Sequence, residues 1–155
     1  MSQSEKPKIL FLDDDEANLI SFEANFRKDF TVLTSRDPNE ALRIVQEHGI
    51  QVAITGQNMP KMSGIKFLEN LSMKYPEVQR VLLTGEINSL AMIEAVNRGK
   101  VCNIITKPFN LKEIQTMIHA AFENFRKRIE KDNLIKKLTK KNEQFEFMLR
   151  QQLLS

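Results

Sequence analysis

The sequence has few of the residues that build disulfide-rich, membrane-spanning or loop-rich proteins. It contains one cysteine, no tryptophan, five glycines and five prolines. The single cysteine, Cys102, excludes an intramolecular disulfide, as is typical of proteins in a reducing compartment. Because Cys102 lies in an apolar stretch, we expect a buried thiol. No run approaches the ~18 apolar residues of a membrane span, and residues 1–8 lack the apolar core of a signal peptide. We therefore expect a cytoplasmic protein.

Charge is unevenly distributed along the 155 residues. The formal net charge is +3, and the 28% of charged and 41% of hydrophobic residues are ordinary for a globular protein. Residues 1–110 carry 13 Lys/Arg and 14 Asp/Glu, whereas residues 111–155 carry 10 and 6. The length predicts one domain with a core and an appendage, and the basic excess belongs to the appendage.

Apolar runs of strand length alternate with segments of helical periodicity, which predicts βα units and a parallel sheet. Four of the five strand-like runs are almost continuous in Val, Ile and Leu, as in strands covered on both faces. Right-handed crossovers then give an α/β fold with a doubly wound five-stranded sheet in the order 2-1-3-4-5. The predicted strands are 8–12, 31–34, 51–55, 79–84 and 101–106, and the predicted helices between them are 16–28, 38–48, 65–74 and 89–98.

A long segment without proline or glycine follows the last predicted strand. Nothing forces a stop from Leu111 to Leu153, and one helix of that span would be about 65 Å long at ~1.5 Å per residue. The first part of this helix should pack on the sheet through the apolar residues Ile114, Ile118, Ala121, Phe122 and Phe125.

Beyond Ile129 the apolar residues of this helix predict a coiled coil. Spacings of three and four alternate along five positions, one of them polar, as in a coiled-coil seam. This register does not continue into the preceding part of the helix, which predicts a stutter near residues 128–133. An exposed apolar stripe requires a partner, so we expect a homodimer or docking to a partner protein. The seam consists of Ile135, Leu138, Asn142, Phe145 and Leu149.

Polar residues stand at the ends of the predicted strands, where neighbouring parallel strands converge on one crevice. Asp13 and Asp14 follow the first strand, Thr84 ends the fourth, and Lys107 follows the fifth. Gly56 ends the third. Two structural interpretations stay open at this point. The acids are also consistent with a solvated cluster at a helix amino terminus, and Lys107 with an ion-pair partner of either aspartate.

The order and spacing of these residues resemble the receiver domains of two-component response regulators. The resemblance implies a flavodoxin-like receiver domain over residues 7–126, after a disordered amino terminus at residues 1–6. Residues 127–155 would form a helical, coiled-coil extension. The motifs that carry the resemblance are Asp13-Asp14, Asn58-Met59-Pro60, Ser63-Gly64, Thr84-Gly85 and Lys107-Pro108-Phe109.

The resemblance also implies roles for individual residues. In such domains a carboxylate on the third strand takes a phosphoryl group from a phosphohistidine of a sensor kinase, with Mg²⁺ held by oxygen ligands. Asp13, Asp14 and the backbone carbonyl of Asn58 would be the metal ligands. Thr84 would be the switch hydroxyl, and Lys107 would contact the phosphate.

The sequence departs from the family pattern at two positions. Gly56 stands where the phosphoacceptor aspartate is expected, so an acyl phosphate cannot form there. A Mg²⁺ site would lose its third carboxylate and be weak or vestigial. Ile104 stands three residues before Lys107, at a switch position where receivers usually carry a Tyr or Phe that rotates between buried and exposed states. An ordinary turn glycine at position 56 is the structural alternative.

The leading hypothesis is a receiver module of phosphorelay signal transduction that lacks its phosphoacceptor. It would act by protein–protein contact, with dimerisation through the C-terminal helix and a sensor kinase as a candidate partner. Two alternatives stay open: a phosphorylation-null fragment of a regulator without its effector domain, and a nucleic-acid-binding adaptor that uses the basic helix.

The basic residues of the C-terminal helix favour a solvated face over a nucleic-acid or membrane contact. Glu130 and Asp132 interrupt the basic run, and it lacks the interleaved aromatic residues of single-strand binders. The sequence shows no nucleophile–base pair and no glycine-rich phosphate loop. We therefore do not expect an enzyme.

Overall fold

The computed structural model describes residues 6–85, 89–98 and 100–154. In these residues, five parallel strands form one sheet in the order β2-β1-β3-β4-β5. The predicted fold class and strand order are thereby confirmed. The strands are β1 (Lys8–Leu12), β2 (Thr31–Ser35), β3 (Val52–Gly56), β4 (Gln79–Thr84) and β5 (Asn103–Thr106), and the helices are α1 (Glu16–Phe26), α2 (Pro38–His48), α3 (Gly64–Lys74), α4 (Ser89–Asn97) and α5 (Leu111–Leu154).

Both faces of the sheet are covered, because successive side chains of a strand point to opposite sides. Ile9 and Phe11 of β1 pack in an apolar cluster with residues of α1 and α5. Leu10 and Leu12 pack in a second cluster with residues of α2, α3 and α4. This alternation accounts for the nearly continuous apolar runs in the sequence. The carboxyl ends of the strands lie between the two layers of helices.

The first helix ends two residues earlier than predicted. Asp15 caps its amino terminus by accepting a hydrogen bond from the N–H of Ala17. At the other end, the N–H groups of Asp29 and Phe30 both donate to the carbonyl of Phe26. Phe30 is almost completely buried. The chain therefore turns after α1 to bring this ring into the core, and the helix does not extend to residue 28.

The expected burial of the Cys102 thiol is wrong, because this side chain is exposed. Val101 is 3% exposed and occupies the core side of the chain at this point. Side chains alternate along extended backbone, so burial of Val101 turns Cys102 outward. Strand pairing begins only at Asn103, two residues later than predicted, opposite Val81 of β4.

The chain divides into two compact units, Met1–Phe125 and Arg126–Ser155, with the boundary inside α5. In the first unit, Ile114, Ile118 and Ala121 of α5 are buried in the sheet cluster, as predicted. In the second unit every described side chain is exposed except those of Ile129 and Asp132, which are half-buried. Within the described residues, no helix is both long and apolar enough to cross a bilayer. The disorder predicted for residues 1–6 falls, apart from Lys6, outside the described residues.

Candidate functional site

A cavity of about 470 Å³ opens at the carboxyl edge of the sheet. It brings together six of the residues singled out in the sequence, although they come from four different strands and their loops. Ile104 does not line this cavity. It is half-buried against the apolar cluster of α2, α3 and α4. The six lining residues are Asp13, Asp14, Gly56, Asn58, Thr84 and Lys107.

Asp13 is held in place by two hydrogen bonds. Its Oδ1 accepts from the N–H of Asp15 at 2.9 Å, and its Oδ2 accepts from Nδ2 of Asn18 at 3.3 Å. Burial raises the pKa of the Asp13 carboxyl above its usual value, and the neighbouring Asp14 carboxyl raises it further, while the two hydrogen bonds act in the opposite direction. The ionised carboxylate is therefore unfavourable in this position, and a nearby cation would relieve it.

Replacing Asp13 with asparagine is expected to stabilise the metal-free protein at neutral pH. The folded-state pKa is raised, so ionised Asp13 costs stability above that pKa, and the cost disappears as the pH falls below the ordinary value of 3.8. The Asp13 side chain is only half-buried, so solvent screens part of this cost and we expect a gain under about 1 kcal/mol in Asp13→Asn. Thermal unfolding in EDTA between neutral pH and pH 3.8 measures this gain, which should shrink toward the acid end.

The control for this substitution is Glu16→Gln, which removes the same charge from an exposed side chain in the same acidic run. It should leave the unfolding temperature almost unchanged. An Asp13→Asn protein less stable than wild type across the whole pH range would show that the two hydrogen bonds outweigh the cost of burial.

Gly56 lies beside the Asp13 carboxyl. A Cβ built on Gly56 would lie 3.5 Å from Oδ2 of Asp13, which is ordinary van der Waals contact. Gly49 is the only glycine with positive φ in the described part of the chain, so Gly56 lies outside the left-handed region. The turn-glycine interpretation therefore has no conformational support. A Cβ is therefore accommodated at this position, next to the Asp13 carboxyl.

Hydrogen bonds and close backbone packing hold the loop after β3, and the sequence did not reveal them. The Thr55 hydroxyl donates to the carbonyl of Gly56 at 2.9 Å. Gln57 accepts from the N–H of Gly64 through its backbone carbonyl and from the N–H of Ile65 through Oε1, both at 2.9 Å. A Cβ on Gly64 would lie 2.0 Å from the carbonyl oxygen of Gly56. The start of α3 thus packs directly on the end of β3, without room for a side chain.

Lys107 lines the same cavity, and its ammonium group lies near an aromatic ring. Its Nζ lies 5.7 Å from the centroid of the Phe109 ring, a cation–π geometry. In the described part of the chain, Nζ of Lys107 has no carboxylate oxygen of Asp13 or Asp14 within 4.0 Å. The structure therefore does not support the interpretation of Lys107 as an ion-pair partner of either aspartate. The N–H of Lys107 donates to the carbonyl of Thr84 at 3.0 Å. This bond joins the ends of β4 and β5, and the Thr84 side chain beside it is buried.

The oxygen donors of the cavity fit a hydrated Mg²⁺ better than a closed metal cage. Mg²⁺ commonly keeps several waters and uses one or two carboxylates. Asp13 and Asp14 supply that number, and Asn58 lines the same cavity. No cluster of three or more His, Cys, Asp or Glu able to hold a metal occurs in the described part of the chain. Asp13, Asp14 and Asn58 are thus the groups of this cavity that would hold a hydrated cation.

A doubly wound parallel sheet with an acidic pair, a hydroxyl and a lysine at its carboxyl edge defines the receiver class of signalling domains. Residues 9–119 match the family model described as the response regulator receiver domain. The chain belongs to this family, which acts in two-component signalling. Receiver domains are in general non-enzymatic signalling modules that interact with kinases and other partners of two-component systems.

Relatives of known sequence or structure support this assignment. The chain is 29% identical over 127 residues to a probable chemotaxis protein CheY of Rhizobium etli, which covers 79% of this chain and 97% of that protein. It is 27% identical over 101 residues to the hydrogenase transcriptional regulatory protein HoxA of Cupriavidus necator, covering 65% of this chain and only 21% of the relative. The match to HoxA thus concerns about a fifth of that protein.

A solved structure resembles the chain more extensively. It is described as an adenylate cyclase from Rhodopirellula baltica, with 28% identity and a TM-score of 0.81, and the match covers 86% of this chain and 99% of that one. The cyclase activity is stated of that protein. The likeness shows that the two chains share a fold over the matched residues.

Proposed function

We propose that this receiver domain signals by protein contact and does not accept a phosphoryl group at position 56. The observation that carries the proposal is Gly56 itself, at the end of β3 and facing Asp13. A receiver needs a nucleophilic carboxylate there, and glycine has no side chain to form the acyl phosphate. The neighbouring Thr55 hydroxyl does not replace it, because it is buried and donates to the Gly56 carbonyl.

The rest of the pocket retains the groups that would stabilise a charged occupant. Asp13, Asp14 and the carbonyl of Asn58 would hold a hydrated Mg²⁺, which would neutralise the two carboxylates. Thr84 and Lys107 line the same cavity. We infer a weak cation site that modulates the stability of the domain and takes no part in a reaction.

Coupling between the pocket and the α4 side of the domain is reduced. Ile104 is half-buried among apolar residues, and it has neither a ring to rotate nor a hydroxyl to expose. Of the two switch positions, only Thr84 therefore has the type of residue that the switch requires. Output by a side-chain rotation next to α4 is disfavoured, and the exposed second unit becomes the better candidate for output.

The second unit supports dimerisation through the C-terminal helix. The apolar residues of the seam are 43–62% exposed. An apolar stripe of this kind is stable in water when a second helix covers it. We propose a second copy of the chain as that partner. The exposed apolar seam residues are Ile135, Leu138, Phe145 and Leu149.

Incubation of the wild-type protein with acetyl phosphate and Mg²⁺ tests the missing phosphoacceptor. We expect no mass increase by one phosphoryl group in intact-mass spectrometry, because position 56 offers no nucleophile. The reagent is checked in parallel on Gly56→Asp. A hydroxylamine-sensitive adduct on Asp13 or Asp14 of the wild-type protein would overturn the inference that the pocket takes no part in a reaction, since it would reveal a substitute acceptor in the same cavity.

A further inference from the structure

The residues of the seam in the second unit indicate whether two helices of a dimer would pair in parallel or antiparallel. Its alternating spacings place Ile135, Asn142 and Leu149 at the positions called a in a coiled coil, and Leu138 and Phe145 at those called d. We propose that a second copy of this chain pairs with the seam in parallel and in register. This inference rests on the dimerisation proposed above and adds its direction, its register and its charged contacts.

The polar residue of the seam favours the parallel arrangement. In a parallel, in-register pair each a position meets the same a position of the second copy, so the two Asn142 side chains face one another. Their amide and carbonyl groups can then hydrogen-bond to each other. When one helix is reversed, a positions meet d positions, and Asn142 would face Phe145 or Leu138. A buried amide without a partner is costly, so reversal is disfavoured.

Charges beside the seam favour the same arrangement. Lys141 precedes Asn142 at the position called g, and Glu146 follows Phe145 at the position called e, five residues further on. In a parallel pair, g of one helix lies next to the following e of the other, and such pairs set orientation. Lys141 would therefore meet Glu146 of the second copy, twice by symmetry. In the described part of the chain neither residue has an ion-pair partner of its own.

The remaining lysines of this segment lie away from the seam. Lys136, Lys137 and Lys140 occupy the outer b, c and f positions of the same register, and all three are exposed. They would remain in solvent in the dimer, where repulsion between the two helices is screened. The basic excess of the C-terminal segment is thus compatible with pairing of two identical copies.

Solution mass provides the first part of the test. Light scattering of the full chain at micromolar concentrations should give about twice 18.0 kDa, and Leu138→Glu should give the monomer mass. A wild-type monomer at all concentrations would overturn both the proposed dimer and its orientation. An assembly larger than a dimer would overturn the two-helix arrangement and would implicate Phe147, which is 61% exposed on the outer face.

Disulfide trapping provides the second part and separates orientation from dimerisation. The exposed native thiol is first removed with Cys102→Ser. In that background Leu149→Cys should form disulfide-linked dimers with itself when oxidised, as should Leu138→Cys. An equimolar, refolded mixture of the two should give almost no link between positions 138 and 149. A dominant 138–149 link would keep the dimer and overturn the parallel arrangement, because reversal places those two positions in one layer.

Charge reversal provides the third part and tests the register. Lys141→Glu and Glu146→Lys should each weaken dimerisation roughly tenfold, since each creates two like-charge contacts in place of two weak ion pairs. The double variant should recover most of the wild-type affinity. Lys140→Glu is the matched control, because it makes the same charge change on the outer face and should have little effect. Equal effects of Lys140→Glu and Lys141→Glu, or no recovery in the double variant, would overturn the proposed register.

Discussion

Replacing Gly56 with aspartate is expected to make the protein a substrate for acetyl phosphate. The position has room for a Cβ, 3.5 Å from Oδ2 of Asp13, in ordinary contact. A carboxylate there would join Asp13 and Asp14 as oxygen ligands for Mg²⁺, with Lys107 across the cavity for the phosphoryl charge. Intact-mass spectrometry should change from no adduct in wild type to a Mg²⁺-dependent, hydroxylamine-sensitive phosphoryl adduct on most Gly56→Asp molecules.

Gly56→Asn is the matched control, because it has nearly the same shape without a nucleophile, and it should stay unlabelled. In metal-free buffer Gly56→Asp should also lose stability, since a third carboxylate adds to the repulsion around Asp13, and Mg²⁺ should restore it. A correctly folded Gly56→Asp protein that remains unlabelled would show that other features of the pocket also prevent phosphoryl transfer.

Replacing Gly64 with alanine is expected to cause a large loss of stability. The new Cβ would lie 2.0 Å from the carbonyl oxygen and 2.9 Å from the carbonyl carbon of Gly56. Both backbone segments are fixed, because the N–H of Gly64 donates to the carbonyl of Gln57. Overpacking of this kind costs about 1–3 kcal/mol or more. The helix preference for alanine recovers at most about 1 kcal/mol. Urea unfolding measures the net loss.

Gly56→Ala is the control for the Gly64 substitution, because its Cβ meets only the Asp13 carboxyl at an ordinary distance. It should change the free energy of unfolding by less than about 0.5 kcal/mol. If Gly64→Ala proved as stable as Gly56→Ala, the end of β3 would have to be free to move away from α3. The close packing of these two segments would then not be needed for folding.

The sheet and its order could be predicted because their determinants are local and periodic. Burial on both faces produced near-continuous apolar runs, and the helices between them kept their own spacing. Errors occurred at the ends, where distant packing decides. Burial of Phe30 ends α1 earlier than predicted, and burial of Val101 leaves the Cys102 side chain exposed. Both effects depend on which side of the chain faces the core, and the apolar composition of a segment does not specify this.

The residues around the cavity were predictable, but most of their contacts were not. Parallel strands bring their carboxyl ends together, so Asp13, Thr84 and Lys107 could be assigned to one edge from strand order alone. The orientation of Lys107 toward Phe109 depends on a cation–π contact competing with the acids. The bond from Asn18 to Asp13 arises because one turn of α1 returns to the end of β1. The contact of Gly64 with Gly56 involves only backbone atoms, which no side-chain pattern reveals.

The open space beside Gly56 has an evolutionary consequence. Glycine codons that end in a pyrimidine differ from the aspartate codons by a single base. In a site whose neighbours filled the space beside the glycine, such a substitution would need compensating changes in the core. Here a Cβ meets nothing closer than the Asp13 carboxyl. Where the Gly56 codon ends in a pyrimidine, one base change is therefore enough to place a carboxylate at the end of β3.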